Sequence, residues 1–369
     1  MTQVRHVAEI LESWAPKAAA WERDNIGLLA GSATANVKKI LVALDCTQEV
    51  VAEATRTKAD LLITHHPLIF RPVSSVTDRD RVGALLTSLI RAKISLYAAH
   101  TNLDFTRTGV SYVLAQLLGI KEPQVLHPSE NLYKKIAVFV PEDYLGRVME
   151  AMSAAGAGRI GNYDSCSYLV IGTGTFRPLA DAKPFIGSKD RLERVVEVRL
   201  EMIALSWKVR NVLEAMRSVH PYESVAYDVY PLENTADDFG AGAIGDLEQP
   251  VTLNAFLATV KQRLKAKAIR YSGKTSGTIR RVAVCGGSGS DLLPVAIHNG
   301  ADALVTADVK YHAFQDAEQD IVLIDAGHYE TEVPVVSRVA EYLTREFKKR
   351  GEPVQVRAAR SSRNPVHYV

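Results

Sequence analysis

The sequence has few cysteines, little net charge and no long apolar run. Its 369 residues include three cysteines, Cys46, Cys166 and Cys285, which are far apart and form no CxxC pair. An odd number of isolated cysteines argues against a disulfide framework or a thiolate zinc cluster, and is typical of a reducing compartment. No apolar run approaches the roughly 20 residues of a membrane span. We therefore expect a soluble, cytoplasmic protein.

The charge pattern gives no sign of a nucleic-acid-binding surface. The 44 lysines and arginines are spread evenly and nearly balance the 42 acidic residues, which leaves a net charge of +2. Apolar residues make up 47% and charged residues 23%, ordinary values for a folded chain long enough for two or three domains. The N-terminus has apolar residues at helical spacing from Val4 to Trp14, which predicts an amphipathic helix and not a signal peptide.

Strands and helices alternate after the first helix. Apolar runs separated by amphipathic segments favour parallel strand pairing in an α/β domain. The pattern predicts strands at 40–44, 61–64 and 94–99 and helices at 82–92 and 109–118.

An internal repeat relates the two ends of the chain. Residues 39–66, KILVALDCTQEVVAEATRTKADLLITHH, align without a gap with residues 281–308, RVAVCGGSGSDLLPVAIHNGADALVTAD. Each copy reads as strand, turn, helix and strand, and the next strands, in 94–104 and 322–332, also correspond. The repeat predicts two similar α/β halves that form one core domain.

A central block departs from this repeat. Its predicted order, β-α-β-β-α-β, is the ferredoxin-like arrangement, bounded by two polar or glycine-rich stretches. We therefore predict an inserted domain at residues 131–232 between the halves of the core domain, 1–130 and 233–369. Within it the pattern predicts strands at 134–141, 167–176, 193–205 and 224–232 and helices at 143–155 and 206–219.

Candidate ligands for a metal follow three of the predicted core strands. His65 and His66 end one strand, Asp104 lies just beyond another, and His328 and Glu332 follow a third. Ligands gather beyond the carboxyl ends of strands in open α/β sheets. The i, i+4 spacing of His328 and Glu332 puts both on one face of a helix, which the apolar spacing predicts to continue through Val336, Val339, Leu343 and Phe347.

Imidazole and carboxylate ligands without thiolate suit zinc, iron, manganese or cobalt. Adjacent histidines on a regular strand point to opposite sides. Once the strand has ended, however, His65 and His66 can serve two neighbouring ions, and Pro67 favours such an end because it cannot donate to the ladder. A His-His pair alone is more often structural, and so is His-x-x-x-Glu on a helix. Their coincidence at strand ends favours the metal hypothesis. His100 remains a candidate ligand or a structural residue.

Other features are weaker. CGGSGS at 285–290 precedes a helix and could cradle an anion, although a tight turn is favoured. Lys310 and His312 could contact an anionic substrate or lie on a solvated helix face. His220 and Glu223, in HPYES, are expected in a capped loop.

Five segments resemble the motifs of the Nif-three-like dinuclear metal-centre family, whose bacterial members are named GTP cyclohydrolase 1 type 2 homologues. HPYES and the ferredoxin-like block resemble the CutA-like insertion of its longer members. One departure is Ala307 before Asp308, where the family pattern has glycine. The five segments are DNIGLL (24–29), ITHHPLIF (63–70), HTNLD (100–104), ADALVTADVKYHAFQDA (301–317) and DAGHYETE (325–332).

The resemblance implies two divalent ions per chain, a toroidal homohexamer with the sites facing its interior, and a nucleotide such as GTP as substrate. It implies a binuclear site formed by His65, His66, Asp104, His328 and Glu332. The leading hypothesis is a metal-dependent purine nucleotide hydrolase, in which His100 or His312 transfers protons. A non-enzymatic metal-binding regulatory or scaffolding protein is the alternative, and a phosphoesterase is a third possibility.

Overall fold

The chain divides into two compact units. A computed structural model describes residues 1–273 and 277–369. The core unit comprises 1–128 and 237–369, and the middle unit comprises 129–236. Both units combine helices with β-sheets, so the protein is of the mixed α/β class.

The first part of the core unit alternates helices and strands, and its predicted elements lie within one residue of the observed bounds. Thr47 caps the second helix, because its hydroxyl accepts a hydrogen bond from the backbone N–H of Val50. In chain order the elements are α1 (Val4–Trp14), β1 (Gly27–Ala30), β2 (Lys39–Ala43), α2 (Gln48–Thr57), β3 (Leu61–Thr64), α3 (Arg81–Arg91), β4 (Ser95–Ala98), α4 (Thr101–Asp104), α5 (Val110–Leu118) and β5 (Ile120–Ser129).

The middle unit forms a four-stranded antiparallel sheet with two helices. The strand order is β7-β8-β6-β9, and a short 3-10 turn precedes each helix. Its apolar core contains alternating residues of β6 and β8 together with residues of both helices. The elements are β6 (Tyr133–Val140), α6 (Leu145–Ala154), β7 (Ser167–Phe176), β8 (Glu193–Leu205), α7 (Val209–Val219) and β9 (Tyr227–Pro231).

The second part of the core unit again combines strands and helices. The helix predicted to run on from His328 is interrupted, because Pro334 has no N–H to continue the hydrogen-bond ladder. The elements are β10 (Ala236–Thr252), α8 (Leu253–Leu264), β11 (Arg270–Ser272), β12 (Thr278–Ser288), α9 (Leu293–His298), β13 (Ala303–Ala307), α10 (Tyr311–Ala317), β14 (Val322–Asp325), α11 (His328–Glu332), α12 (Pro334–Arg350) and β15 (Gln355–Ala358).

Two sheets make up the core unit. The first has the order β1-β4-β3-β2-β15, and the second has the order β11-β14-β13-β12-β10-β5. Each contains three adjacent parallel strands, β2-β3-β4 in one and β12-β13-β14 in the other. An antiparallel strand lies beyond the third strand of each trio, β1 beside β4 and β11 beside β14. The carboxyl ends of each trio therefore lie together, and in the first sheet β15 adds a fourth parallel strand beside β2.

One side-chain contact recurs in both sheets. The Asp60 carboxylate accepts hydrogen bonds from the backbone N–H groups of residues 38–39, at 2.8 and 2.9 Å. Asp302 accepts the same two bonds from residues 280–281, both at 2.8 Å. Each aspartate precedes one parallel strand and holds the backbone of the neighbouring parallel strand. Asp60 and Asp302 occupy matching positions of the two aligned segments, and both make this contact.

Among residues 1–273 and 277–369, no helix has both the length and the apolar character needed to cross a membrane.

Helix α12 supplies an apolar face to the core beside the first sheet. Its buried positions recur at helical spacing and contact buried residues of β2, β3 and β4. These positions are Val335, Val336, Val339, Leu343 and Phe347.

Leu343→Ala tests this packing. Leu343 is fully buried, so removing its side chain should leave a cavity and lower the free energy of unfolding by roughly 2–5 kcal/mol. Lys348→Ala, at an exposed position of the same helix, should change it by no more than roughly 0.5 kcal/mol. Urea denaturation measures both, and equal midpoints for the two variants would contradict the packing.

Candidate metal centre

The tandem histidines extend β3 past its carboxyl end, alongside the end of β2. The backbone N–H of His65 donates to the carbonyl of Ala43 at 3.2 Å, and that of His66 donates to Leu44 at 3.0 Å. The Thr64 hydroxyl donates to the carbonyl of His66 at 2.8 Å. The two imidazole centroids lie 5.0 Å apart. The adjacent side chains therefore approach each other where the strand ends.

Asp104 reaches the same place from the end of β4. The short helix α4 follows His100, and the backbone N–H of Asp104 donates to the His100 carbonyl at 3.1 Å. The Asp104 carboxylate then lies 3.4 Å from the Nε2 atom of His65. One helical turn thus brings a carboxylate to the tandem histidines.

His328 and Glu332 enter from the second sheet on α11. Gly327, with a φ of +91°, precedes the helix in a backbone conformation that favours glycine. The helical spacing puts Nε2 of His328 3.0 Å from the Glu332 carboxylate. The His/Glu pair therefore acts as one structural element, as its spacing predicts.

The Glu332 carboxylate lies at the middle of the cluster. One oxygen is 2.9 Å from Nε2 of His66 and 3.0 Å from Nε2 of His328, and these two nitrogens are 3.3 Å apart. The other oxygen is 3.9 Å from Nε2 of His65. The structure therefore brings together all five residues that sequence analysis selected: His65, His66, Asp104, His328 and Glu332.

Their donor atoms form two overlapping groups that could hold a metal. In the described ranges, ligand atoms of His65, His66 and His100 lie within 4.8 Å of one another, and so do those of His66, His328 and Glu332. His66 belongs to both groups. The shared residue places the two groups side by side, one with three imidazoles and the other with two imidazoles and a carboxylate.

Each of the three candidate histidine ligands, His65, His66 and His328, is oriented through its Nδ1 atom. That of His65 contacts the carbonyl of Ala99 at 2.8 Å, and that of His66 contacts Asp45 at 2.8 Å. Nδ1 of His328 lies 2.6 Å from Asp308. A carbonyl or carboxylate only accepts hydrogen bonds, so Nδ1 carries the proton. In the neutral ring, Nε2 then keeps its lone pair for a metal, as in carboxylate–histidine–metal sites.

The His100 ring is also oriented through its Nδ1 atom. Its Nδ1 atom lies 3.0 Å from the Asp24 carboxylate, which also accepts a hydrogen bond from the backbone N–H of Thr101. Burial opposes ionisation of Asp24, but these contacts with His100 and Thr101 lower its pKa to about 2. A permanently charged carboxylate thus orients this ring.

Two buried acceptors test whether the site suits a cation. Nε2 of His65 and Oδ1 of Asp104 are buried, lie 3.4 Å apart, and have no hydrogen-bond partner in the described ranges. With the proton of His65 on Nδ1 and Asp104 ionised, neither atom can donate to the other. Unpaired buried polar atoms are costly, and a cation between nitrogen and oxygen donors removes that cost. The residues therefore fit a divalent metal.

Burial and the neighbouring carboxylates shift the pKa values of the histidines in the cluster. Burial lowers the pKa of His65 to about 3, so this ring is neutral. Burial also opposes charge on His66, but the Asp45 and Glu332 carboxylates outweigh it and raise its pKa to about 10. Hydrogen bonding to Glu332 raises the pKa of His328 to about 9. Protons and a metal would thus compete for the Nε2 atoms of His66 and His328.

The two carboxylates of the cluster shift in opposite directions. Burial and the neighbouring Glu332 raise the pKa of Asp104 well above its usual range. Burial acts in the same sense on Glu332, but its contacts with His328 and His66 lower its pKa. Glu332 therefore carries the negative charge that balances the histidines.

Gly287 makes room for Glu332, a role that sequence analysis did not anticipate. It lies near the end of β12 with a φ of +64°, and a Cβ atom there would be 2.1 Å from the Glu332 carboxylate. Its N–H donates to the hydroxyl of Thr331 at 3.0 Å. The backbone of the CGGSGS segment thus lies close to Glu332. The glycines of this segment are the sequence signal that could have indicated such a close approach.

A cavity of about 430 Å³ adjoins the cluster. His66 and His328 form part of its wall, so a molecule in the cavity would meet both donor groups. Arg270 supplies a cationic side chain, 63% exposed and paired with Asp325. The other lining residues are Leu44, Asp45, Asp308, Gly327, Tyr329, Glu330, Asn364, Pro365, Val366 and Tyr368.

The weaker candidates lie elsewhere. His312 is exposed on α10 and contacts Gln315 at 3.2 Å, and neither it nor Lys310 lines this cavity. His220 and Glu223 belong to the middle unit, where both make hydrogen bonds to backbone. Ala307 is buried in β13, and the positive φ falls on Asp308, so the strand accommodates alanine.

The carboxylates that orient the histidines were also missed as functional residues. Asp24, Asp45 and Asp308 come from three separate segments. Asp24 and Asp308 fall within the family-like segments, whereas a lone aspartate after a strand, such as Asp45, carries no distinctive pattern. Only their positions beside Nδ1 atoms reveal the role.

The fold and the cluster define a mixed α/β protein with a candidate metal centre. The family model for Duf34/NIF3 (NGG1p interacting factor 3) matches residues 2–365. The chain therefore belongs to the Duf34/NIF3 family.

Relatives and solved structures agree with this assignment. A GTP cyclohydrolase 1 type 2 homolog of Halalkalibacterium halodurans is 39% identical over 366 residues, which cover 98% of each chain. One from Bacillus subtilis is 37% identical, covering 99% of this chain and 98% of its own. The structure of a Bacillus cereus protein related to NIF3 has a TM-score of 0.87 and 38% identity, covering 100% of this chain and 99% of its own.

Asp45→Asn tests the orientation of the candidate ligands. Removing the negative charge beside Nδ1 of His66 should make its Nε2 a poorer ligand and weaken Zn²⁺ binding by roughly 10–100-fold. Competition with a chromophoric chelator measures the affinity. Asp316→Asn, at an exposed position of α10, is the matched control. Equal affinities in the two variants would show that Asp45 does not support the site.

Proposed function

We propose that the protein is a dinuclear metal-dependent hydrolase acting on a purine nucleotide, with His65, His66, Asp104, His328 and Glu332 as the metal ligands. The observation that carries the proposal is the position of the Glu332 carboxylate. One of its oxygens faces His66 and His328, and the other faces His65. A carboxylate with donors on both sides is suited to bridge two ions.

The donor set agrees with zinc, iron, manganese or cobalt. Bound divalent ions would activate water at neutral pH and polarise a substrate atom, which is the chemistry of dinuclear hydrolases. For GTP the expected reaction opens the purine ring by addition of water at C8 and releases that carbon as formate after a second hydrolysis. The name shared by the relatives, GTP cyclohydrolase 1 type 2 homolog, suggests this substrate.

Residues of the cavity beside the cluster supply contacts for a nucleotide. Arg270 offers positive charge to phosphate groups, and Tyr329 and Tyr368 offer aromatic surface to a base. Asp45 and Asp308 hold the rings of His66 and His328 in place. These two rings would thus form a fixed part of the wall against which a bound purine is oriented.

His100 is our candidate for proton transfer. Its ring is held by Asp24, and one of its nitrogens lies within 4.8 Å of those of His65 and His66. His312, the other candidate, is exposed and outside the cavity lining. Proximity to the ligand cluster therefore favours His100.

A non-enzymatic metal-binding protein is the competing hypothesis. The strong pairing of His66 and His328 with carboxylates would serve stable metal retention as well as catalysis. The 430 Å³ cavity beside these rings favours a site that admits a substrate. Turnover separates the two hypotheses.

The test is turnover of GTP by the metal-loaded protein. We expect formate release and loss of purine absorbance with the wild type and with Glu341→Ala, which changes an exposed residue of α12. Glu332→Ala should lose both bound metal and turnover, because it removes the carboxylate that lies within 4 Å of the Nε2 atoms of His65, His66 and His328. Metal per chain is measured by elemental analysis and formate by a coupled assay.

Each other outcome points to a different conclusion. Full activity and metal content in Glu332→Ala would refute the ligand assignment. A folded, loaded wild type that forms no product would favour the metal-binding alternative. Phosphate release without ring opening would favour a phosphoesterase.

We further propose that the core unit consists of two similar α/β halves and that the middle unit is an inserted, CutA-like domain of ferredoxin-like fold. The parallel trios and the matching Asp60 and Asp302 contacts support the first point. The order β-α-β-β-α-β with strand order β7-β8-β6-β9 supports the second. We propose a toroidal homohexamer, with the candidate centres facing its interior, as the assembly.

Light scattering after size-exclusion chromatography tests the assembly. A hexamer should have six times the mass of the 40.4 kDa chain, independent of concentration in the micromolar range. A monomer or dimer across that range would rule the ring out.

A further inference from the structure

The middle unit contains a cavity of about 660 Å³. Residues of β6, β7 and β8, the loop after β7, and the segment before β9 line it, and all belong to this unit. An inference from this cavity is therefore independent of the metal centre.

A buried carboxylate forms part of the cavity wall. Glu197, on β8, is only 8% exposed. Gly174 on the neighbouring strand leaves space for it, since a Cβ atom there would be 2.1 Å from the Glu197 carboxylate. The strand is thus shaped around a carboxylate that has little contact with water.

In the described part of the chain, no basic side chain forms an ion pair with Glu197. On the same strand Glu201 pairs with Arg199 at 2.9 Å and with Lys135 at 3.9 Å. Glu197 has the hydroxyl of Tyr222 beside it, which provides no positive charge. A buried carboxylate without a counter-ion is costly, so this position favours a cation from outside the chain.

His220, another residue that could carry a positive charge in this unit, is held as a neutral ring by two backbone contacts. Its Nε2 donates to the carbonyl of Phe139 at 3.0 Å, and its Nδ1 accepts from the backbone N–H of Tyr222 at 3.2 Å. A protonated ring would lose the second bond. His220 therefore leaves the charge of Glu197 unbalanced.

Aromatic rings surround the same space. The centroids of Phe176 and Phe185 each lie 6.2 Å from that of Tyr222. Phe185 packs edge-on against Tyr144, with ring centroids 5.6 Å apart, and is 51% exposed, so part of its ring is available to a bound molecule. Aromatic faces next to a carboxylate attract organic ammonium ions through cation–π interaction.

The charge of the lining also favours a cation. Asp181, Glu197 and Glu223 face the cavity, whereas Arg177 is its single basic residue in the described ranges. We propose that the middle unit binds a small organic ammonium ion in this cavity, with Glu197 as its counter-ion and Phe176, Phe185 and Tyr222 as its aromatic walls.

The test compares ammonium ions with neutral molecules of the same shape on the full-length protein. Calorimetry would measure binding of choline and of benzylammonium, against 3,3-dimethylbutan-1-ol and benzyl alcohol. At least one ammonium ion should bind at one site per chain, with its neutral counterpart at least tenfold weaker. Equal binding of the members of each pair, or no binding of either cation at millimolar concentration, would overturn the proposal.

Variants locate the site. Glu197→Gln should weaken binding of the cation at least tenfold, and Glu214→Gln, at an exposed position of α7, should leave it unchanged. Phe185→Ala removes a half-exposed wall without opening the core, so it should fold and bind more weakly even if Glu197→Gln is unstable. Unchanged affinity in folded Glu197→Gln or in Phe185→Ala would place the bound cation elsewhere and refute the assignment.

Discussion

The arrangement of the core unit depends on one buried carboxylate. Glu332 lies within 4 Å of three imidazoles, two of which follow β3 of the first sheet while the third shares its own helix after β14 of the second. Burying a charge is costly unless donors or cations surround it, so this carboxylate ties the ends of two sheets together. Gly287 gives it space, because any side chain at that position would collide with it.

Hydrogen-bond acceptors around the cluster fix the orientation of its histidine rings. Asp24, Asp45, Asp308 and the carbonyl of Ala99 each contact an Nδ1 atom, which leaves the Nε2 atoms for a metal. Such partners raise the basicity of a ligand and prevent ring rotation. In the cavity of the middle unit, by contrast, Glu197 shares the lining with aromatic rings and forms no ion pair with a basic side chain of the described residues. The two units thus present carboxylates in chemically different surroundings.

Much of the local structure could be predicted from the sequence. Strands β2, β3 and β4 carry continuous apolar runs, and the helices between them have apolar positions at helical spacing. These signals are local and therefore survive without tertiary information. The break between α11 and α12 was missed although Pro334 signals it, because the apolar spacing continues beyond the break. The role of Gly287 was missed because a steric requirement appears only when its neighbour, 45 residues away in sequence, is known.

The sequence by itself determined which residue types stand at the strand ends: the tandem histidines, Asp104, and the His328 and Glu332 pair with its helical spacing. It also determined the order of helices and strands, since hydrophobic periodicity depends on near neighbours alone. Only the tertiary structure decided that these residues meet, which ring nitrogen faces inward, and which aspartates hold the rings. Those properties depend on distances between segments far apart in the chain, and no local pattern encodes them.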